Sequence, residues 1–441
     1  MRLTNVSHMS LPPGRLFSYR VREVGPPGSV LPISFDQARH VGAGQRPASW
    51  MAMAFRLPQP VDRERLGAAW DAVVARHGTL TTAFESAADG ELVLRRIEVG
   101  PGTWQERPIA PGRTAREEVR ELFDAACAPF NRPSHLVCLV EPVDDDPDPR
   151  PAVVVGADHA HVDMWSLLTL VRDLRSCLDD LAAGLPPGAG LPRVPSFADH
   201  TRALVERPPA PQQVVDRWAG ILAAEGGVMP RFGLPLGRLE PTPEGIVEIR
   251  DVLDGEATER FSDRAHALGV RMIALATSVL TRVTADLAGR PFRAVFPVHS
   301  RYDDTWHDAS GWFITNAVLE SADPDPVACA AAVKEAIELG SWPLAPILAP
   351  YGGMPEAPGM FAMSWLDARR LPVKVAADAE VQFVSAAIRT DGVMIWFIVN
   401  DQGLHLRCRY PDTPEARRHV GRWLDEVEHQ LRATAQESPQ R

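Results

Sequence analysis

What the sequence lacks narrows its function before any motif is read. No apolar run reaches the roughly 18 to 20 residues that a membrane-crossing helix needs, and the opening MRLTNVSHMSLPPGRLFSYRV carries no apolar core of a secretion signal. The cytoplasm is the expected compartment, with no membrane partner. Cysteine is scarce: Cys127, Cys138, Cys177, Cys329 and Cys408 are odd in number, scattered, and include no CxxC pair. That removes the usual grounds for a disulfide framework, a zinc site or a redox dithiol, so the thiols are read as packing or surface residues. Positive charge is also short, with 46 Lys and Arg against 57 Asp and Glu and a formal charge of -11. Nucleic acid backbones select clustered cations, so no nucleic acid partner is expected.

What is present describes a globular protein. The 441 residues, 45% hydrophobic and 23% charged, exceed one ordinary core and predict two lobes. Leu66, Trp70, Val73 and Val74 form one helical stripe that ends near Gly78, and GELVLRRIEV alternates as a strand. TAREEVRELFDAACAPF is a second amphipathic helix, and the Pro- and Asp-rich EPVDDDPDPRP is a turn that delivers the chain to the strand AVVVGA. Leu167, Val171, Leu174 and Leu178 then predict a helix running to about Gly184. The Pro and Gly cluster GLPPGAGLPRVPS is the best linker, which places a lobe over residues 1–190 and another over 191–441. In the second lobe ATERFSDRAHALGVRMIALATSVLTRVTADLAG reads as one helix, FRAVFPV as a strand and DPVACAAAVKEAIELG as a helix. GMFAMSWLD and EVQFVSAAIRTDGVMIWFIVNDQGLHLRCRY read as strands, and a last helix starts near Pro414. The expected class is α/β (α+β) with mixed sheets in two lobes of similar size.

The stretch VVVGADHAHVDMWSLL, residues 153 to 168, concentrates chemistry between a buried strand and a helix. His159, His161 and Asp163 have the spacing of ligands in binuclear zinc hydrolases, where imidazoles and carboxylates crowd one cation. Met164 stands where the last ligand of that pattern would be, so no metal is expected. Polar packing is the plain alternative, with Asp163 as the N-cap of the helix that follows. A third reading is acyl transfer. An amine or alcohol attacking a thioester needs a base near neutral pKa, which His159 supplies, and no bound cofactor is required.

Aligned on Trp165 and Ser166, DHAHVDMWS resembles the HHxxxDG motif of the condensation-domain superfamily, which joins nonribosomal peptide synthetase condensation domains to other HxxxD acyltransferases. Further segments follow in the family's order. PISFDQARH resembles its opening motif, LGAAWDAVVARHGTLTTAF its RHxxLRTxF helix end, and APFNRP its Phe-Asp-Leu turn. FPVHSR, SGWFITNAVLES, MSWLDARRLP and GLHLRCRYPDT are similar to its later strands. The set spans nearly the whole chain.

The resemblance implies two chloramphenicol-acetyltransferase-like lobes in a V, with the motif midway along a tunnel between them. It implies that His159 positions or deprotonates the nucleophile, that Asp163 is structural, and that Asp163 pairs with Arg301 from the second lobe. Asp158 stands where the family has its first His, and a carboxylate there would favour protonated His159 if the two side chains approach. Met164 stands where the family has Gly, which leaves less room for backbone approach. His161, Trp165, Ser310, Trp312 and Asn316, with Asp158 and Met164, are candidate tunnel residues; Ser310 and Asn316 are candidate oxyanion donors. Arg172 and Arg175 are candidates for contact with an acidic carrier.

The expected enzyme is a free-standing, monomeric condensation-type acyltransferase of a natural-product or antibiotic pathway. It makes an amide or ester from a thioester held on the phosphopantetheine arm of an acyl or peptidyl carrier protein acting in trans, with a small amine or alcohol as acceptor. Two alternatives stand beside it: coenzyme A as the donor's carrier, and a noncatalytic carrier-binding or recruitment module.

Overall fold

Strand Ala152–Asp158 is buried along its whole length, as its opening run of Ala and Val, with no polar residue before Asp158, requires when both faces of a sheet are covered. The structure, a computed structural model, describes residues 2–87 and 89–437. In it this strand is the centre of a seven-stranded sheet. The order across the sheet is Arg2–Asn5, Gln382–Ser385, Trp50–Arg56, Ala152–Asp158, His135–Pro142, Gly14–Glu23 and Val99–Arg107. Its strand pairings are antiparallel except the first, between Arg2–Asn5 and Gln382–Ser385. Helix Arg63–Arg76 buries Leu66, Trp70, Val73 and Val74, the stripe read from the sequence, and packs against helix Met164–Ala182, hereafter the motif helix. The strand expected over GELVLRRIEV is two, Leu92–Arg96 and Val99–Arg107, because the chain changes sheets at Ile97 and Glu98.

A second sheet of six strands runs Gly245–Asp254, Gly403–Pro411, Val393–Asn400, Phe361–Asp367, Phe292–His299 and Ile314–Ser321. It is mixed: its first pairings are antiparallel and the inner ones parallel. The single helix expected over residues 257–289 is two, Gly255–Ala267 and Met272–Ala288, bent by 93°. Gly269 takes φ +70 there, and the amides of Gly269 and Val270 close on the carbonyls of His266 and Ala265. That left-handed cap satisfies carbonyls the first helix would leave open, so the helix ends although the apolar pattern continues. Among the described residues no single helix is long and apolar enough to cross a membrane.

Contacts divide the chain into two compact units. One comprises residues 1–206, 301–314 and 371–387; the other comprises 207–300, 315–370 and 388–441. This differs from a single cut near residue 190. Helix Phe197–Val205 follows the Pro- and Gly-rich linker yet stays with the first unit, because Phe197 buries against Ala309, Trp312 and Phe313. Two later segments also return to that unit, one of them as a strand of its sheet.

Candidate active site

The motif helix begins at a carboxylate with no spare capacity. Asp163 is its N-cap, and Oδ1 accepts the Ser166 amide at 2.7 Å, satisfying one of the donors a helix start leaves open. Oδ2 accepts the Phe313 amide at 3.0 Å and Arg301 Nη1 at 2.8 Å, while Arg301 Nη2 reaches Oδ1 at 3.2 Å. Burial alone would raise the Asp163 pKa; the Arg301 guanidinium and these donors outweigh it and hold the carboxyl below its usual range. A carboxylate so held is ionised and fully bonded, which suits a brace and not a proton carrier.

Arg301 is committed through both terminal nitrogens, with its buried Nε left without a hydrogen-bond partner among the described residues. Its Nη2 also donates to Ser166 Oγ at 2.8 Å and to the Ala309 carbonyl at 3.2 Å, and its guanidinium lies over the rings of Trp165 and Phe313. The expectation of an ion pair from the second lobe changes here: residues 301–314 belong to the first unit, so the pair forms inside it. Ser166 Oγ donates to the Gly311 carbonyl at 2.8 Å and accepts its amide at 3.0 Å, fixing the returning segment onto the motif helix.

His159 opens the short turn His159–His161 between strand and motif helix. Its Nδ1 lies 2.9 Å from the Val162 carbonyl. A carbonyl can only accept, so Nδ1 carries the proton and Nε2 keeps its lone pair. The half-buried ring stacks on Trp312, with centroids 4.0 Å apart and planes 17° apart. Burial is the largest influence on the ring and pushes its pKa down to about 4, so it is neutral at pH 7.

The expected conflict with Asp158 does not arise. Its carboxylate accepts from Ser49 Oγ at 2.6 Å, from the Ala160 amide at 2.9 Å and from His40 Nε2 at 3.1 Å. Burial would raise Asp158, but the hydrogen bonds it accepts from His40 and Ser49 work against that, and its carboxyl is held low. Its pull on His159 is smaller than the effect of burial on that ring, so His159 is shifted down and not up.

The other residues singled out in the sequence fall in different places. His161 turns into the core against Phe84, with Nδ1 3.4 Å from Thr82 Oγ1, and burial lowers its pKa. Met164 is half-buried at the first position of the motif helix, and among the described residues the non-glycine residues with positive φ are Ala48 and Glu380. The backbone at Met164 therefore makes no demand for glycine. Trp165 Nε1 donates to the His307 carbonyl at 3.0 Å. The buried Ser310 hydroxyl has no hydrogen-bond partner among the described residues. Asn316, on strand Ile314–Ser321, belongs to the second unit. Arg172 is paired with Asp173 and Asp308 rather than displayed for a carrier, and Arg175 is half-buried.

His159, His161 and Asp163 direct their side chains to three different surroundings, so the HxHxD spacing does not converge on a point, and no metal-holding group of His, Cys, Asp or Glu occurs among the described residues. Sequence reasoning missed Arg46 and Ser49 and gave His40 no role. His40 sits in the segment already singled out as PISFDQARH, where Ser34 and Gln37 form a capping box that starts helix Phe35–Gly42. Nothing local in that segment shows that its last turn ends beside His159.

No protein-family profile matches the chain. It is 24% identical to the acyltransferase PapA3 of Mycobacterium tuberculosis strain H37Rv over 441 aligned residues, covering 94% of this chain and 91% of that protein. Among solved structures, the PapA2 acyl transferase superposes with a TM-score of 0.85 at 21% identity, covering 99% of this chain and 100% of that one. The first condensation domain of the calcium-dependent antibiotic synthetase, in complex with a substrate analogue, superposes with a TM-score of 0.71 at 14% identity over 93% of this chain and 98% of that one.

Proposed function

We propose that the chain is a condensation-domain-like acyltransferase that forms an ester or amide from an acyl thioester delivered on a carrier protein's phosphopantetheine arm, with His159 as the catalytic residue; the likeness to acyltransferases along nearly its whole length supports this reading. The observation that carries this reading is the state of the His159 ring: neutral, with Nδ1–H given to Val162 and Nε2 left to accept. In the reaction the acceptor's O–H or N–H donates to Nε2 while its heteroatom attacks the thioester carbonyl. The tetrahedral intermediate then collapses, the C–S bond breaks, and the proton on Nε2 passes to the leaving thiolate. His159 returns to its starting form and nothing is oxidised or reduced.

A ring held near pKa 4 is a weak base, so its contribution is to orient the acceptor and to take the proton as the new bond develops rather than beforehand. The Ser310 hydroxyl, buried and unbonded, is the donor we assign to the developing oxyanion, with Trp312 as a wall against which the acceptor lies. Coenzyme A as donor uses the same steps.

The test is intact-mass spectrometry of an acyl-loaded carrier protein, and in parallel of acyl-coenzyme A, incubated with amines and alcohols. Wild type should transfer, and His159→Ala should lose at least about a hundredfold. Equal rates in the two proteins would remove His159 from the chemistry. Carrier binding without transfer by wild type would favour a recruitment module.

A further inference from the structure

We propose that His40 is a positioning residue for His159, acting through a hydrogen-bonded chain Arg46–His40–Asp158 that fixes the turn carrying the catalytic imidazole. The functional part rests on the acyltransferase reading above; the chain itself does not.

Proton bookkeeping defines the chain. Arg46 Nη2 lies 2.9 Å from His40 Nδ1, and Nη1 donates to the carbonyls of His40 at 2.8 Å and Gly44 at 3.1 Å. A guanidinium has no acceptor, so His40 Nδ1 must present a lone pair and the ring proton sits on Nε2. That proton points at Asp158, whose Oδ1 and Oδ2 lie 3.1 and 3.2 Å away. The order is therefore guanidinium to neutral imidazole to carboxylate, with both His40 nitrogens engaged. His40 has no lone pair left for a substrate and cannot itself be the base.

The chain ends on the backbone that aims His159. Asp158 is fully buried, and Oδ1 receives the Ala160 amide at 2.9 Å, which shapes the turn one residue beyond His159. Ser49 Oγ donates to Asp158 Oδ2 at 2.6 Å, and the Ser49 carbonyl accepts the His159 amide at 3.0 Å. Both sides of the turn are thus tied to one carboxylate. A buried carboxylate holds such a position only while its own partners are complete.

His40 acts a second time through Trp312. Its ring meets that indole edge-on, with centroids 5.2 Å apart at 73°, while Trp312 stacks on His159 and the two imidazoles lie 6.0 Å apart. Removing His40 would free one edge of the indole and at the same time take from Asp158 one of its donors, leaving Ser49 and the Ala160 amide.

The test compares His40→Gln, whose amide can accept from Arg46 and donate to Asp158, with His40→Leu, which can do neither. Positioning predicts kcat within about threefold of wild type for His40→Gln and a loss of roughly ten- to a hundredfold for His40→Leu with little change in KM. Two results would overturn the proposal: full activity in His40→Leu, or equal loss in both variants, since the latter would assign His40 a proton-carrying role of its own. Nitrogen-15 NMR of the imidazoles, with no substrate present, separates this from failure of the acyltransferase reading. It should show the Nε2–H tautomer for His40, Nδ1–H for His159, and loss of the single His159 tautomer in His40→Leu. An unchanged His159 signal in that variant overturns the positioning role even if the wild type transfers nothing.

Discussion

Asp163 and Arg301 show how far a single buried pair can be committed. Both side chains are almost wholly excluded from water, and between them they bind the helix start, Ser166 and the returning segment. Asp163→Asn or Arg301→Leu should therefore cost about 3 to 5 kcal/mol in urea unfolding, because each leaves the partner charge buried and unpaired. Asp163 was legible in the sequence as a helix cap, since capping is local; that Arg301 would be its partner was implied by family resemblance alone. The state of His159 was not legible. A sequence shows Asp158 beside His159 but not that the carboxylate turns to His40 and Ser49. The pH profile should report this. Protonation removes the Nε2 lone pair, and a lowered pKa moves that loss to lower pH. We expect kcat/KM to stay level down to about pH 5 and to fall toward the His159 pKa of about 4 rather than near the ordinary histidine value of about 6.5. An acid limb centred near 6.5 would show that burial does not control this ring.

At the scale of elements, the arrangement depends on a short returning segment lying against the motif helix. Trp165 to the His307 carbonyl, Arg172 to Asp308 and Ser166 to Gly311 run along one helix face. Gly311 is the closest approach: a Cβ there would lie 2.4 Å from Phe197 Cγ. Gly311→Ala should lower the melting temperature by several degrees, corresponding to about 1 to 3 kcal/mol of overpacking, and should depress kcat by displacing Trp312. A variant with unchanged melting temperature and rate would mean that Phe197 moves aside without consequence. The helices themselves were readable where an amphipathic stripe ended in a clear stop, as over residues 63–76 and 164–182. Reading failed over residues 257–289, where apolar residues continue past Gly269 and periodicity hides a cap made of backbone conformation.

For the whole molecule, the first unit is not a continuous stretch of chain. Strand Gln382–Ser385 lies between Arg2–Asn5 and Trp50–Arg56, and residues 301–314 complete the surroundings of Asp163. A fragment of residues 1–206 should consequently lack a cooperative unfolding transition and bind a hydrophobic dye, because it exposes a strand edge and buries an unpaired carboxylate. Cooperative melting of that fragment with dispersed NMR signals would show that the later segments are dispensable.

The sequence by itself determined what neighbours along the chain decide: the buried central strand, the capped motif helix, the amphipathic stripes and the candidate imidazole at a strand-to-helix turn. Each depends on contacts within a few residues, which periodicity and capping chemistry express directly. Only the tertiary structure decided which carboxylate meets which cation and how far burial shifts the His159 ring. Those properties arise between residues separated by more than a hundred positions, as with His40 and Asp158 or Asp163 and Arg301. Desolvation and hydrogen-bond geometry are set by what folds over a group, and no local pattern encodes that.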